Sequence, residues 1–168
     1  MSAPRHIVVM GVTATGKTTV GRALAAELGG VFVEGDTFHP PANIEKMSAG
    51  IPLDDDDRRP WLRLLAAEIA RLDGAGEISV TACSALRRVY RDWLREGHPG
   101  LFFVHLDSTS EVLLERMERR THFMPPSLLQ SQLDTLEPLE ADEAGVVIDD
   151  TPPADVVIAT SLAAVRAA

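Results

Sequence analysis

Lysine is nearly absent from this chain. Its 168 residues include two, Lys17 and Lys46, beside fourteen arginines. Cysteine occurs once, as Cys83, which excludes an internal disulfide and fits a reducing compartment. No apolar run nears the roughly 20 residues that span a bilayer, and no charged-then-apolar leader opens the chain. A soluble, cytoplasmic protein with no membrane partner is expected. Positive charge is in deficit, with 16 cationic against 25 acidic side chains and a formal charge of −9. That excludes a nucleic-acid-coating surface. Repeats and low-complexity tracts are also missing. A chain of this length with 45% apolar residues reads as one domain over residues 1–168 with a substantial core.

The most specific stretch is Gly11-Val12-Thr13-Ala14-Thr15-Gly16-Lys17-Thr18. It fits G-x-x-x-x-G-K-[ST], follows the apolar run 7–10 and opens an amphipathic segment, 19–28. Strand, loop and helix in that order form a P-loop, whose backbone N–H groups and helix N-terminus point at nucleotide phosphates. Lys17 reaches the β- and γ-phosphates, and the Thr18 hydroxyl sits on Mg²⁺. One of the two lysines is thus accounted for, where a compact, mobile ammonium is needed. The other, Lys46, becomes suspect by association.

Besides 7–10, short continuous apolar runs at 31–33, 78–80, 101–106 and 146–148 suit parallel strands buried on both faces. Helical patterns lie between them at 20–28, 61–72, 86–96, 110–120, 127–133 and 154–165. The alternation predicts an α/β domain with a parallel sheet. Two segments leave that rhythm, residues 36–60 and 120–126. Ligands of open parallel sheets bind beyond the C-terminal strand ends, and both excursions can lie there.

Glu34 and Asp36 end the second strand two residues apart, on one face if the strand continues. Asp36 is placed to accept the proton of an attacking hydroxyl or to orient it, and Glu34 to hold Mg²⁺ through water. Around His39, Pro41 suits a helix start, with Asn43, Lys46 and Met47 on neighbouring faces. Asp54 to Asp57 read as a helix cap and dipole partners, whereas Arg58 suits bidentate recognition of a small acid. Ser84 follows the third strand. Arg87 and Arg91, four apart, fall on one helix face as an anion site. No Asp ends that strand directly, which speaks against a GTPase or motor ATPase and for a small-molecule kinase. Arg116 and Arg120 share a face beside the second excursion, in reach of a transferring phosphoryl group. Trp61, Tyr90 and Trp93 read as packing residues, and Cys83 as buried and unreactive.

These residues together resemble the small bacterial gluconokinases, among the shikimate-kinase-like and nucleoside-monophosphate-kinase-like P-loop kinases. The resemblance runs from the P-loop to the last strand. Its most specific stretches are His39-Pro40, Asn43-Ile44-Glu45-Lys46-Met47 and Cys83-Ser84-Ala85-Leu86, with His122-Phe123-Met124 and Ser131-Gln132 further on. It implies five parallel strands with helices on both faces, a substrate excursion at 36–60, a lid at 120–126 and a homodimer. It also implies transfer of the ATP γ-phosphoryl group to the 6-hydroxyl of D-gluconate, with Mg²⁺. ATP contacts then fall on Gly11, Thr13, Ala14, Thr15, Gly16, Lys17, Thr18, Thr19 and Arg116. Gluconate contacts fall on Asp36, His39, Lys46, Arg58, Ser84, Arg87 and Arg91, and the catalytic groups are Lys17, Asp36 and Arg120. Three departures stand out: Ala14 replaces a glycine, Thr121 directly precedes His122, and the short segment after Ile148 leaves the adenine contacts unassigned. The alternatives are another kinase of the group, for shikimate or a nucleotide, and a P-loop binding module without turnover.

Overall fold

The computed structural model describes residues 2–119 and 126–168. Five strands, β1 (His6–Met10), β2 (Val31–Glu34), β3 (Ser79–Ala82), β4 (Phe102–Asp107) and β5 (Gly145–Asp149), form one sheet in the order β2-β3-β1-β4-β5. Every pairing is parallel. Every residue of β1 and β3 is buried, which is why these strands read as continuous apolar runs rather than alternating ones.

Alternation within β1 divides the core. Ile7 and Val9 pack with Val20 and Leu24 of helix α1 (Lys17–Leu28) and with Val157 and Val165 of the C-terminal helix (Ala154–Ala167). Val8 and Met10 face the other way, onto Leu62, Leu65 and Ile69 of a long helix (Asp55–Gly74) and onto Trp93 and Leu94 of a shorter one (Arg88–Arg95). In chain order, α2 is Pro41–Ser48, α3 and α4 are these last two, α5 is Ser110–Glu118, α6 is Pro126–Thr135 and α7 ends the chain. Val12, Ala14, Leu86, Leu113, Met117 and Leu129 make a third cluster, which joins the loop after β1 to α5 and α6.

β1 lies between β3 and β4, so the chain leaves it first to one side and later to the other. Such a reversal opens a crevice beyond the carboxyl end of the strand, where residues 11–18 lie.

The helix expected at 61–72 extends over Asp55–Gly74, and two further differences bear on the site. β2 stops at Glu34, and Gly35–Phe38 forms a 3-10 turn. Gly35 passes so close to β3 that a Cβ there would stand 2.3 Å from the Ala82 carbonyl oxygen; only glycine fits. Glu34 and Asp36 therefore share no strand face. The helix expected at 86–96 begins at Arg88, because Arg87 is extended (φ −106°, ψ 149°) as its N-cap. The acidic run at the start of α3 behaves as expected: Asp54 accepts the Asp57 N–H at 2.8 Å, and Asp57 accepts the Asp54 N–H at 3.0 Å, a reciprocal cap.

Candidate active site

The phosphate loop starts from local geometry. Gly16, at φ 81°, is the N-cap of α1, and the Thr15 hydroxyl donates to the Val12 carbonyl at 2.8 Å. Ala14 also has positive φ, 69°. An L-residue there costs about 1–2 kcal/mol, yet its methyl is buried in the third cluster. Lys17 curls back over the loop, with its Nζ 3.0 Å from the Val12 carbonyl oxygen. The Thr13 N–H donates to Gln132 Oε1 of α6 at 2.6 Å, and the Gly11 N–H to the Ser84 carbonyl at 3.2 Å. Thr19, on α1, is exposed.

Thr18 donates its hydroxyl to Glu34 Oε2 at 2.6 Å. These are the two residues expected around Mg²⁺. Both offer hard oxygen: the Thr18 hydroxyl oxygen can ligate the ion while its proton stays hydrogen-bonded to Glu34, whose carboxylate is then placed to hold a water of the ion's shell, so the pair fits Mg²⁺. Asp36, exposed, sits one turn beyond Glu34 on the 3-10 segment.

The substrate-side residues are held by a polar lattice. The His39 ring stacks on Trp61 with centroids 4.0 Å apart, and its Nδ1 lies 3.2 Å from the buried Asn43 amide, which also donates to the Asp57 carbonyl. Burial, opposed by the charge of Asp36 and assisted by that of Arg58, lowers the His39 pKa. Near pH 7 this imidazole is neutral and serves as a hydrogen-bonding group. Lys46 pairs with Asp57 at 2.7 Å, which ties α2 to the start of α3.

A cleft of about 620 Å³ opens between α3, α4 and the end of α6, with Asp55, Arg58, Arg87, Tyr90, Asp134 and Glu137 in its walls. Arg58 donates Nη1 to the Tyr90 hydroxyl at 2.7 Å, and that hydroxyl donates to Asp55 at 2.6 Å. Arg87 bridges Asp55 and Glu137 at 2.6 and 3.4 Å. The Tyr90 hydrogen bond, opposed by burial and reinforced by Arg87, holds the Asp55 carboxyl below its usual range. Tyr90, expected as packing, thus carries a polar role that its hydroxyl alone could have signalled. Among the described residues the other Arg58 N–H groups meet no acceptor, so Arg58 is the cation best placed for an incoming anion.

Arg91 requires correction. It is fully buried, and its guanidinium is committed to Glu143 at 2.7 and 3.0 Å, to the Ala85 carbonyl at 2.9 Å and to that of Pro138 at 3.2 Å. It shares no face with Arg87 and has no route to a substrate. Ser84 is half-buried beside β3 and precedes Ala85, at φ 47°; helix α4 starts four residues later, so Ser84 does not cap it. Cys83 is buried, which pushes its thiol up to about 12, so it stays protonated and unreactive.

Arg116, on α5, donates to Asp150 Oδ2 at 2.6 Å, to the Asp150 carbonyl at 2.5 Å and to the Ala14 carbonyl at 3.1 Å. Asp150 is itself buried, and burial raises its pKa against the pull of Arg116. Asp150 and Gln132 join the site beyond the residues expected from sequence. Gln132 had a signal in the Ser131-Gln132 stretch, whereas Asp150 had none. Arg120 and residues 121–125 of the lid expected at 120–126 lie outside the described residues.

The AAA domain family model matches residues 7–123. A gluconokinase of Gluconobacter oxydans is 50% identical over 156 residues, 92% of this chain and 88% of the relative. A crystal structure of a gluconokinase from Sinorhizobium meliloti superposes with a TM-score of 0.85 at 48% identity, over 99% of this chain and 92% of that one. An unliganded sugar kinase from Janibacter superposes at 0.89 with 52% identity, over 95% and 93% of the two chains. With a phosphate loop and an arginine-bearing cleft on the same edge of a five-stranded parallel sheet, and with relatives this similar over most of their length, the chain belongs to the gluconokinase family of P-loop kinases.

Proposed function

We propose that this protein transfers the γ-phosphoryl group of ATP to the 6-hydroxyl of D-gluconate, giving 6-phosphogluconate and ADP. The observation that carries the reading is the pairing of chemistries beyond the C-terminal strand ends: phosphate-binding backbone and Lys17 after β1, and cationic and acidic side chains after β2 and β3. The cleft walls suit a polyhydroxy acid. Arg58 offers N–H donors to a carboxylate, while carboxylates such as Asp134 and Glu137 accept from hydroxyl groups.

The loop N–H groups and the α1 N-terminus hold the phosphates. Lys17 leaves the Val12 carbonyl and follows the charge that develops on the γ-phosphoryl oxygens. Thr18 would hold Mg²⁺ directly and Glu34 through water, and such an ion would supply charge neutralisation at the phosphates. Asp36 accepts a hydrogen bond from the 6-hydroxyl, aims that oxygen in line with the Pγ–O bond, and takes its proton as the bond to ADP breaks. His39, Lys46, Arg58, Ser84 and Arg87 bound the substrate, and Arg116 and Thr19 flank the nucleotide. Arg120 and the lid close over the reacting groups and exclude water that would hydrolyse ATP. The reading includes a cytoplasmic location and a homodimer, and light scattering on the purified protein tests the dimer.

The deciding experiment is ADP release coupled to a reporter enzyme, run with gluconate, shikimate and nucleoside monophosphates. Turnover with gluconate alone is expected. Turnover with shikimate or a nucleotide in its place overturns the substrate assignment, and ADP release with none of them overturns the kinase reading.

A further inference from the structure

At the opposite edge of the sheet from the phosphate loop, three chain segments converge. His6 is the first residue of β1 and fully buried, Asp73 stands near the end of α3, and His98 follows α4. His6 Nε2 lies 3.0 Å from Asp73 Oδ1, and His98 Nε2 lies 3.8 Å from the same oxygen. The two imidazole centroids are 4.7 Å apart. Among the described residues, this is the one group whose His, Cys, Asp or Glu ligand atoms all lie within 4.8 Å of one another.

We propose that His6 Nε2, Asp73 Oδ1 and His98 Nε2 form a binding site for a transition-metal dication of the Zn²⁺ class, with water as fourth ligand. A tetrahedral ion with bonds of about 2.0–2.1 Å sets its ligand atoms about 3.3 Å apart. The two spacings to Asp73, 3.0 and 3.8 Å, bracket that value, and all the ligand atoms lie within 4.8 Å of one another, so side-chain rotation has to draw the two imidazoles together around the ion. Two imidazoles and one carboxylate are a donor set for Zn²⁺ or Co²⁺ and a poor one for Mg²⁺, which prefers all-oxygen surroundings.

The surroundings permit the proton shift that binding needs. Toward Asp73, which only accepts, each Nε2 carries its ring proton. His6 Nδ1 then accepts from Ser79 Oγ at 2.8 Å, and His98 Nδ1 accepts from the Gly100 N–H at 3.1 Å. On metal binding the protons move to Nδ1. The Ser79 hydroxyl reverses and accepts from His6, orienting the ligand from behind, while the exposed Gly100 N–H passes to water. Arg5, an arginine whose charge acts on Asp73, donates Nη2 to the Gly76 carbonyl at 2.7 Å.

The site is remote from phosphoryl transfer. Four strand steps of about 3.3 Å separate His6 from Met10, and eighteen helical steps of about 1.5 Å separate Asp73 from Asp55. A bound ion would pin β1, α3 and the segment after α4 together, stabilising the fold without entering the reaction.

The test uses tag-free, chelator-treated protein without nucleotide. Co²⁺ is titrated while its visible absorption is followed, then displaced with Zn²⁺, in the wild type, Asp73→Ala and His98→Ala. Both substituted residues reach the surface, so the fold survives; His6 is buried and is left intact. One equivalent of Co²⁺ per chain is expected, with the intense spectrum of a tetrahedral ion. Zn²⁺ should displace it and excess Mg²⁺ should not, and affinity should fall about 10-fold or more in each variant while gluconate-dependent turnover is unchanged. Absence of binding, an octahedral spectrum, or unchanged affinity in either variant overturns the proposal.

Discussion

The Arg91 guanidinium and the Glu143 carboxylate meet at two points, 2.7 and 3.0 Å, with both side chains fully withdrawn from solvent. Arg95 adds a third contact to the same carboxylate at 2.5 Å, and Glu143 in turn accepts the Glu140 N–H at 2.8 Å. One carboxylate 52 residues away in sequence thus fixes α4 against the segment that leads into β5. Arg87, at the head of the same helix, remains partly exposed in the cleft wall.

Arg91 and Arg87 should therefore separate cleanly. Arg91→Ala leaves a buried carboxylate short of its partner and should cost about 3–5 kcal/mol of stability, read from urea unfolding. Arg87→Ala should cost less than about 1 kcal/mol, as exposed ion pairs do, while raising the KM for gluconate about 10-fold. Equal stability losses in the two variants would contradict the division.

Acid should act on the same pair. Burial opposes ionisation of Glu143, but the hydrogen bonds from Arg91 and Arg95 prevail and hold its carboxyl at about 2, below an ordinary value of 4.5. A depressed carboxyl stabilises the fold fully above its unfolded pKa and progressively less as pH falls toward its folded one. The wild type should lose stability between about pH 4.5 and pH 2. In Glu143→Gln that acid limb should flatten, as measured by thermal unfolding across the range.

Asp36→Asn keeps size and polarity but cannot take a proton. Gluconate-dependent turnover should fall about 100-fold or more, while ATP affinity, measured by calorimetry, stays within about twofold. Full turnover in the variant would remove Asp36 from the reaction.

Ala14→Gly sets two effects against each other. Relief of the positive φ is worth about 1–2 kcal/mol. Loss of the buried methyl costs about 0.8 kcal/mol, and the freer unfolded chain a further 0.4–1 kcal/mol or so. Stability should change by less than about 1 kcal/mol, and a larger change in denaturant midpoint would show that one term dominates.

The strands, the α3 cap and the Thr18–Glu34 encounter were legible because each rests on short-range rules: continuous apolar runs, an acidic residue three positions from its partner, and a carboxylate ending the strand beside the loop. Arg91 was misread for a complementary reason. Helical spacing relates residues within a helix but does not say which face meets the core, and α4 begins one residue after Arg87, so the supposed pair was never four apart on one helix. Asp150 and Glu143 owe their importance to partners 34 and 52 residues away, and no local pattern announces such contacts. Ala14, which stands where the resembling family has glycine, takes a positive φ of 69°, the conformation that glycine tolerates.

Helices α5 and α6 are both fastened to the phosphate loop, at the adjacent residues Thr13 and Ala14. Arg116 of α5 holds the Ala14 carbonyl, and Gln132 of α6 holds the Thr13 N–H. A displacement of Thr13 and Ala14 is thus felt by both helices at once. Thermodynamic reciprocity then binds the two events: whatever positioning of α5 and α6 favours nucleotide, nucleotide favours in equal measure.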